Sequence, residues 1–149
     1  TAAGGEVRKA DNSHIGIANE IIINNNGINH PIYKNKDSKF NSPAFNFDEV
    51  KVLPKNAICL ASNKINKVQS LYFEINASKV LGLQYHPEIT YEKMISLIEF
   101  RKDRLIENRK VFKDEKEIEN HIAFIKAEIS RSNKEKRMAE LKNWLDYIL

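Results

Sequence analysis

Val80-Leu81-Gly82-Leu83-Gln84-Tyr85-His86-Pro87-Glu88 is the stretch on which the rest of the chain turns. Its first six residues are apolar at nearly every position, the pattern of a strand buried on both faces. A histidine and a glutamate follow at once, separated by a proline. In open α/β sheets, ligands and reacting groups gather at the carboxyl ends of strands. Pro87 fixes its own φ and so stiffens the turn that carries the two ionisable side chains. Histidine is the side chain best suited to move protons near neutral pH. A carboxylate beside it can fix the imidazole tautomer and stabilise the imidazolium. Taken alone, His86 fits a satisfied loop histidine, and Glu88 fits a helix-start residue near an N-terminal dipole. Taken together they form a base and its orienting partner, and such a pair needs a nucleophile.

Upstream of this stretch the sequence reads as strands and loops. Gly4-Gly5 marks a turn, Glu6–Lys9 a short strand, and Ile15–Ile23 a β-branched strand. Asn24-Asn25-Asn26-Gly27 reads as a turn, and His30-Pro31 opens an irregular segment. Asn41–Asp48 reads as a loop holding two phenylalanines, and Lys51–Leu53 as a brief strand ended by Pro54. Ala57–Ser62 and Ser70–Ile75 are strand candidates that lead to Val80–Tyr85.

Downstream the character changes to three helices. Thr90 is an N-cap for a helix through about Glu107. Asp114-x-x-Glu117 is a capping box with Asp as its first member, and Ile118, Ile122, Ile125 and Ile129 line one face of the helix that follows. Ser132-x-x-Glu135 repeats the signal, with Met138, Leu141, Leu145 and Ile148 as the apolar stripe. These stripes have the spacing of packing surfaces. Trp144 suits either an interface anchor or a core position, and a packed cap is the preferred reading of the tail.

The bulk numbers limit function further. The 149 residues are the size of one domain, and 42% hydrophobic content is enough for a core. The net charge is +4, and the parts up to and after Glu88 carry +2 each. There is thus no basic lobe of the kind that binds nucleic acid, and no nucleic-acid partner is expected. No apolar run is long enough to span a bilayer, so no membrane partner is expected either. Thr1-Ala2-Ala3-Gly4-Gly5 lacks the basic start and apolar stretch of a signal peptide. A single cysteine, Cys59, excludes an internal disulfide and a Cys-rich zinc site, and fits a cytoplasmic setting. No metal site or cofactor fingerprint is evident, and no cofactor is expected.

Gly82-Leu83-Gln84-Tyr85-His86-Pro87-Glu88 resembles the G-[VL]-Q-[FY]-H-P-E signature of class I glutamine amidotransferases. Three other stretches match that family in order. Gly4-Gly5-Glu6-Val7-Arg8-Lys9 resembles the segment after the helix that follows the nucleophile. His14-Ile15-Gly16 resembles an E-[IL]-G turn. Phe45-Asn46-Phe47-Asp48-Glu49-Val50, with Leu53-Pro54 and Leu60-Ala61-Ser62, resembles the S-H-x-D-x-V…L-P…L-A-S stretch. The match runs from Gly4 to about Glu88, and its nearest branch is the GMP-synthase-like stand-alone members.

The resemblance implies a flavodoxin-like three-layer α/β domain with a mixed sheet. Residues 1–108 would be its C-terminal portion and residues 109–149 a helical extension packed on it. It also implies a Cys-His-Glu triad that hydrolyses glutamine to glutamate and ammonia, with His86 as general base and Glu88 as its orienter. Glutamine would be the small-molecule substrate, and a synthetase or acceptor-binding protein a possible partner. Phe45, Asn46 and Phe47 would lie near the glutamine pocket; Phe45 and Asn46 stand where the family often has Ser and His. The family's nucleophile lies in G-x-C-x-G-x-Q on a sharp strand-to-helix turn, which can lower a thiol pKa. Ala57-Ile58-Cys59-Leu60-Ala61 lacks those glycines, so Cys59 is expected to be a buried small hydrophobe. The chain is therefore read as a fragment whose elbow lies upstream, inactive alone, poorly stable, and exposing apolar sheet edge. His14, where the family has Glu, has no implied role, and His30 and His121 are read as surface or interface residues. The alternatives are a gamma-glutamyl hydrolase-like cysteine peptidase and a non-catalytic binding homologue.

Overall fold

The computed structural model describes residues 3–149; Thr1 and Ala2, the start of the opening stretch read above as carrying no leader, lie outside them. Two antiparallel sheets carry the first half. The strands β1 (Glu6–Ile15) and β4 (Phe45–Val52) form a two-stranded ribbon. The other five are β2 (Ala18–Ile23), β3 (Lys39–Ser42), β5 (Ile58–Ser62), β6 (Ser70–Ile75) and β7 (Ser78–Leu83), in spatial order β3-β2-β5-β6-β7. Every strand pairing among the described residues is antiparallel. Helices pack on these sheets, so the α/β class expected from the sequence is the class observed.

Several local readings change. Ile15–Ile23 is not one strand, because Gly16 takes a φ of +83° and turns the chain from β1 into β2. A Cβ there would lie 2.6 Å from Ile125 and 2.7 Å from Ile98, so this glycine is also the point where helices press closest on the sheet. Asn24 does not begin a simple turn: its side chain accepts from the Asn26 and Gly27 amides and caps the one-turn helix α1 (Asn25–Ile28). Asn41–Asp48, read as a loop, supplies the end of β3 and the start of β4. The period-two alternation of Phe45 and Phe47 with Asn46 and Asp48 is the strand signal there, and β1 provides the long-range partner that a local reading cannot see. Val80–Tyr85 is less buried than a central strand. Among the described residues β7 pairs only with β6, and its residues are exposed or half-buried until Tyr85 is reached.

In the second half, Thr90 caps α2 (Tyr91–Phe100) as expected. The helix does not run unbroken to Glu107; it breaks at Arg101 and resumes as a wide π-type turn over Arg104–Asn108. Asp114 caps α3 (Glu115–Ile129), accepting from the Glu117 amide at 2.9 Å. The Glu117 carboxylate reaches back to the Lys113 amide at 2.6 Å, one residue before the position a standard capping box uses. The next cap is Asn133 rather than Ser132, and it starts α4 (Lys134–Arg137). The final helix is α5 (Ala139–Ile148).

Two clusters of buried side chains hold these layers together. Ile15 and Ile17 pack under Tyr91, Ile95 and Ile98 of α2 and Ile118, Ile122 and Ile125 of α3. Each fully buried isoleucine contributes about 2 kcal/mol. The second cluster, around Ile21, Ile32, Tyr33, Leu60 and Tyr85, fills the five-stranded sheet's covered face, and Trp144 packs against it. The tail buries an unexpected face. Leu145 and Ile148 are about half exposed, whereas Glu140 is fully buried. Its carboxylate meets the Lys36 ammonium at 2.8 Å and the Tyr85 hydroxyl at 2.8 Å, which is why the polar side of α5 turns inward.

Candidate active site

β7 delivers the chain to its carboxyl end, where Gln84 and Tyr85 continue the extended run. The Gln84 amide donates to Gln69 O at 2.8 Å, and the His86 amide donates to Pro43 O at 2.7 Å. The chain then turns: the Ile89 amide donates to His86 O at 3.2 Å, closing His86-Pro87-Glu88-Ile89. Pro87 is buried, while the His86 and Glu88 side chains are 41% and 49% exposed. They face each other, with His86 Nδ1 at 2.8 Å from Glu88 Oε1. An ionised carboxylate only accepts, so the imidazole donates through Nδ1–H. That tautomer leaves Nε2 free to take a proton. An open cleft of about 310 Å³ lies beside the pair, walled by Leu81, Leu83, Leu141 and Trp144.

The residues expected near a substrate pocket divide by strand alternation. Asn46 points toward the turn and donates to Gln84 O at 2.8 Å, two residues before His86. Phe45 and Phe47 stack edge-on at 5.8 Å and pack on the helical cluster, with Arg101 over Phe45 and Arg109 over Phe47. The structure thus brings Asn46, His86 and Glu88 to one end of β7 and sends both phenylalanines to the helices.

Cys59 lies within β5, with its thiol directed at Ala61 O and Lys67 O. It is half-buried rather than buried, and burial raises its pKa, the opposite of an activated thiol. In register it stands level with Leu71 of β6 and, through it, Gly82 of β7. That is ~10 Å across the sheet and ~13 Å along it from His86 by ordinary strand spacings. Among the described residues no group of three His, Cys, Asp or Glu side chains is placed to hold a metal ion. No described helix is long and apolar enough to cross a membrane.

The other histidines are structural. His14 is 1% exposed, and burial pushes its pKa down to about 4. The Gln69 amide nitrogen lies 2.8 Å from His14 Nε2 and 3.1 Å from Asn63 Oδ1. It therefore donates to both, and His14 accepts as a neutral ring. His30 and His121 are not plain surface residues. His30 Nδ1 accepts from the Ile32 amide and its ring packs on Tyr72; His121 Nε2–H donates to Ile15 O at 2.6 Å.

Sequence reasoning missed the contacts behind the turn. Arg137 Nη1 donates to Pro87 O at 2.7 Å and Ile89 O at 2.5 Å, and Tyr85 is tied to Glu140. The available signal was weak: Glu140, Asn143, Trp144 and Tyr147 share one face of α5 at helical spacing, but the apolar stripe beside them is the stronger pattern.

No known protein-family profile matches the chain. A curated relative, the gamma-glutamyl-L-1-hydroxyisopropylamide hydrolase of a Pseudomonas species, is 37% identical over 93 residues, which are 60% of this chain and 31% of that protein. A glutamine amidotransferase of Thermotoga maritima superposes over 97% of this chain and 55% of its own, with a TM-score of 0.62 at 17% identity. One from Methylobacillus flagellatus covers 95% and 57%, with a TM-score of 0.61 at 14% identity. The chain thus spans a little over half the length of these solved structures and about a third of the curated relative.

Proposed function

This chain has the fold of the class I glutamine amidotransferases, and from that premise we propose that it supplies His86 and Glu88 to a Cys-His-Glu triad. The reaction is hydrolysis of glutamine to glutamate and ammonia. The observation that carries the reading is the 2.8 Å contact between His86 Nδ1 and Glu88 at the carboxyl end of β7, with Nε2 left open. In this reading a cysteine from residues beyond these 149 approaches Nε2. His86 takes the thiol proton, and the thiolate attacks the glutamine side-chain carbonyl. The imidazolium, held by Glu88, returns the proton to the departing nitrogen as ammonia. Water then cleaves the thioester with His86 again as base. Asn46 would lie at the edge of the same site, while Phe45 and Phe47, turned to the helical cluster, would act on it only through the β4 backbone. Residues 109–149 act as a helical extension, and a synthetase that consumes ammonia is the natural partner class.

A second reading is favoured by one feature. The cleft beside His86 and Glu88 is walled by Leu81, Leu83, Leu141 and Trp144, which suits an alkyl group on the amide nitrogen better than ammonia. The relative with 37% identity is named for hydrolysis of γ-glutamyl-L-1-hydroxyisopropylamide, an N-substituted γ-glutamyl amide. In this reading the same His-Glu pair acts on an N-alkyl γ-glutamyl amide.

The test is to give the whole protein glutamine and γ-glutamyl-L-1-hydroxyisopropylamide side by side and to measure glutamate. Release from glutamine supports the first reading, and release from the alkylamide alone supports the second. Release from neither, with a folded protein, removes both.

A further inference from the structure

Alternate residues around the catalytic turn are used for different purposes. His86 and Glu88 face solvent, while Tyr85, Pro87 and Ile89 face the C-terminal tail. The tail grips all three. Tyr85 donates its hydroxyl proton to Glu140 Oε1 at 2.8 Å, and Arg137 Nη1 donates to Pro87 O at 2.7 Å and Ile89 O at 2.5 Å. Among the described residues neither carbonyl has another hydrogen-bond donor. Both lie outside regular structure, since α2 begins only at Tyr91, so the turn's own backbone cannot satisfy them.

The grip is itself anchored. Glu140 is fully buried and its second oxygen accepts from Lys36, whose ammonium also donates to Lys136 O. Tyr85 meets Tyr33, and Tyr33 meets Ser70 at the start of β6. Asn133 caps α4 and sets where Arg137 emerges. Both bonds come from the one Nη1 amino group, whose two hydrogens lie in the guanidinium plane and whose charge strengthens each of them.

We propose that Arg137, backed by the Glu140–Tyr85 contact, is a positioning residue that holds the His86-Pro87-Glu88 turn in the geometry in which His86 presents its Nδ1–H to Glu88. This rests on the catalytic reading of His86 and Glu88. It makes the tail part of the catalytic apparatus rather than only a cap. Arg137 touches no reacting atom; it acts through the backbone on either side of Pro87.

The experiment reads the His86 tautomer by imidazole ¹⁵N resonances in the whole protein, with His86→Gln used for assignment and Glu88→Gln showing the ring without its acceptor. Arg137→Gln removes the charge and shortens the side chain, so that its amide no longer reaches the two carbonyls. In folded Arg137→Gln the Nε2–H to Nδ1–H ratio rises by roughly threefold or more, toward the Glu88→Gln spectrum, as expected when a charge-assisted hydrogen bond is lost. Arg137→Lys restores part of the shift. A folded Arg137→Gln protein with the wild-type His86 spectrum overturns the proposal. Arg137→Ala is the harsher variant, and if it fails to fold the Gln variant still decides. Because the readout is a tautomer and not turnover, failure of glutamine hydrolysis would remove the proposed function without imitating this result.

Discussion

His14 and His86 are one residue type put to opposite uses. His14 sits in the seam between the two sheets, 1% exposed, accepting from an amide and kept neutral by burial. His86 sits on a turn that is fastened from behind and open in front, with a carboxylate as its neighbour. The first has no free nitrogen and its charged form is costly. The second has a free Nε2 and a partner for the charge it would carry. What separates them is not sequence motif alone but which side of the backbone the surrounding hydrogen bonds occupy.

The comparison breaks most severely at Glu140. Replacing it with Ala leaves the buried Lys36 ammonium and the Tyr85 hydroxyl without their shared partner. A loss of about 3–5 kcal/mol is expected by chemical denaturation, together with a disturbed His86 tautomer and an unchanged His14. Intact stability would show that the anchor behind the turn is not as drawn.

The buried member of the pair predicts a pH effect. The folded pKa of His14 is about 4, below its ordinary 6.5. The unfolded chain therefore binds more protons between those values, and stability from this group is present above pH 6.5 and is lost as pH falls toward 4. The expected loss is about 3 kcal/mol over that window. His14→Gln should flatten this part of the stability–pH curve, and an equally steep curve in that variant would assign the effect elsewhere.

Gly16 lies two residues from His14, where β1 turns under α2 and α3. Gly16→Ala places a methyl within 2.6 Å of Ile125 and 2.7 Å of Ile98 at a positive φ. A loss of about 1–3 kcal/mol is expected, with the His14 resonances shifted and those of His86 still. The smallest effect belongs to Asp114→Ala. Removing this cap should cost about 1 kcal/mol and move neither histidine, so a larger loss would mean that α3 supports more than its own packing.

Much of this was legible in the sequence where local pattern and tertiary demand agree. Ser70–Ile75 is a strand as read, Thr90 and Asp114 cap the helices they precede, and the isoleucine face of α3 is buried. Reading failed where a distant partner decides. β4 looked like a loop because its partner, β1, is distant in the chain, from Ile15 opposite Phe45 to Glu6 opposite Val52. The burial of Val80–Leu83 was overstated because hydrophobicity does not say how many neighbours a strand has. The tail was misread because its buried face carries Glu140, satisfied by Lys36 and Tyr85, beside Trp144, and not the apolar stripe that ends in Leu145 and Ile148. At the site, the pairing of His86 with Glu88 was visible from their spacing. The contact from Arg137 was not, because a surface-type residue 50 positions away gives no local sign of where its guanidinium will land.

The most direct test of the central claim is glutamate release by the whole protein, wild type beside His86→Ala, with glutamine and the alkylamide each offered as substrate. The geometry at β7 predicts a fall of about 100-fold to 10,000-fold in the variant for whichever substrate is used, with the fold retained. Release that persists undiminished in His86→Ala would contradict a catalytic role for this histidine.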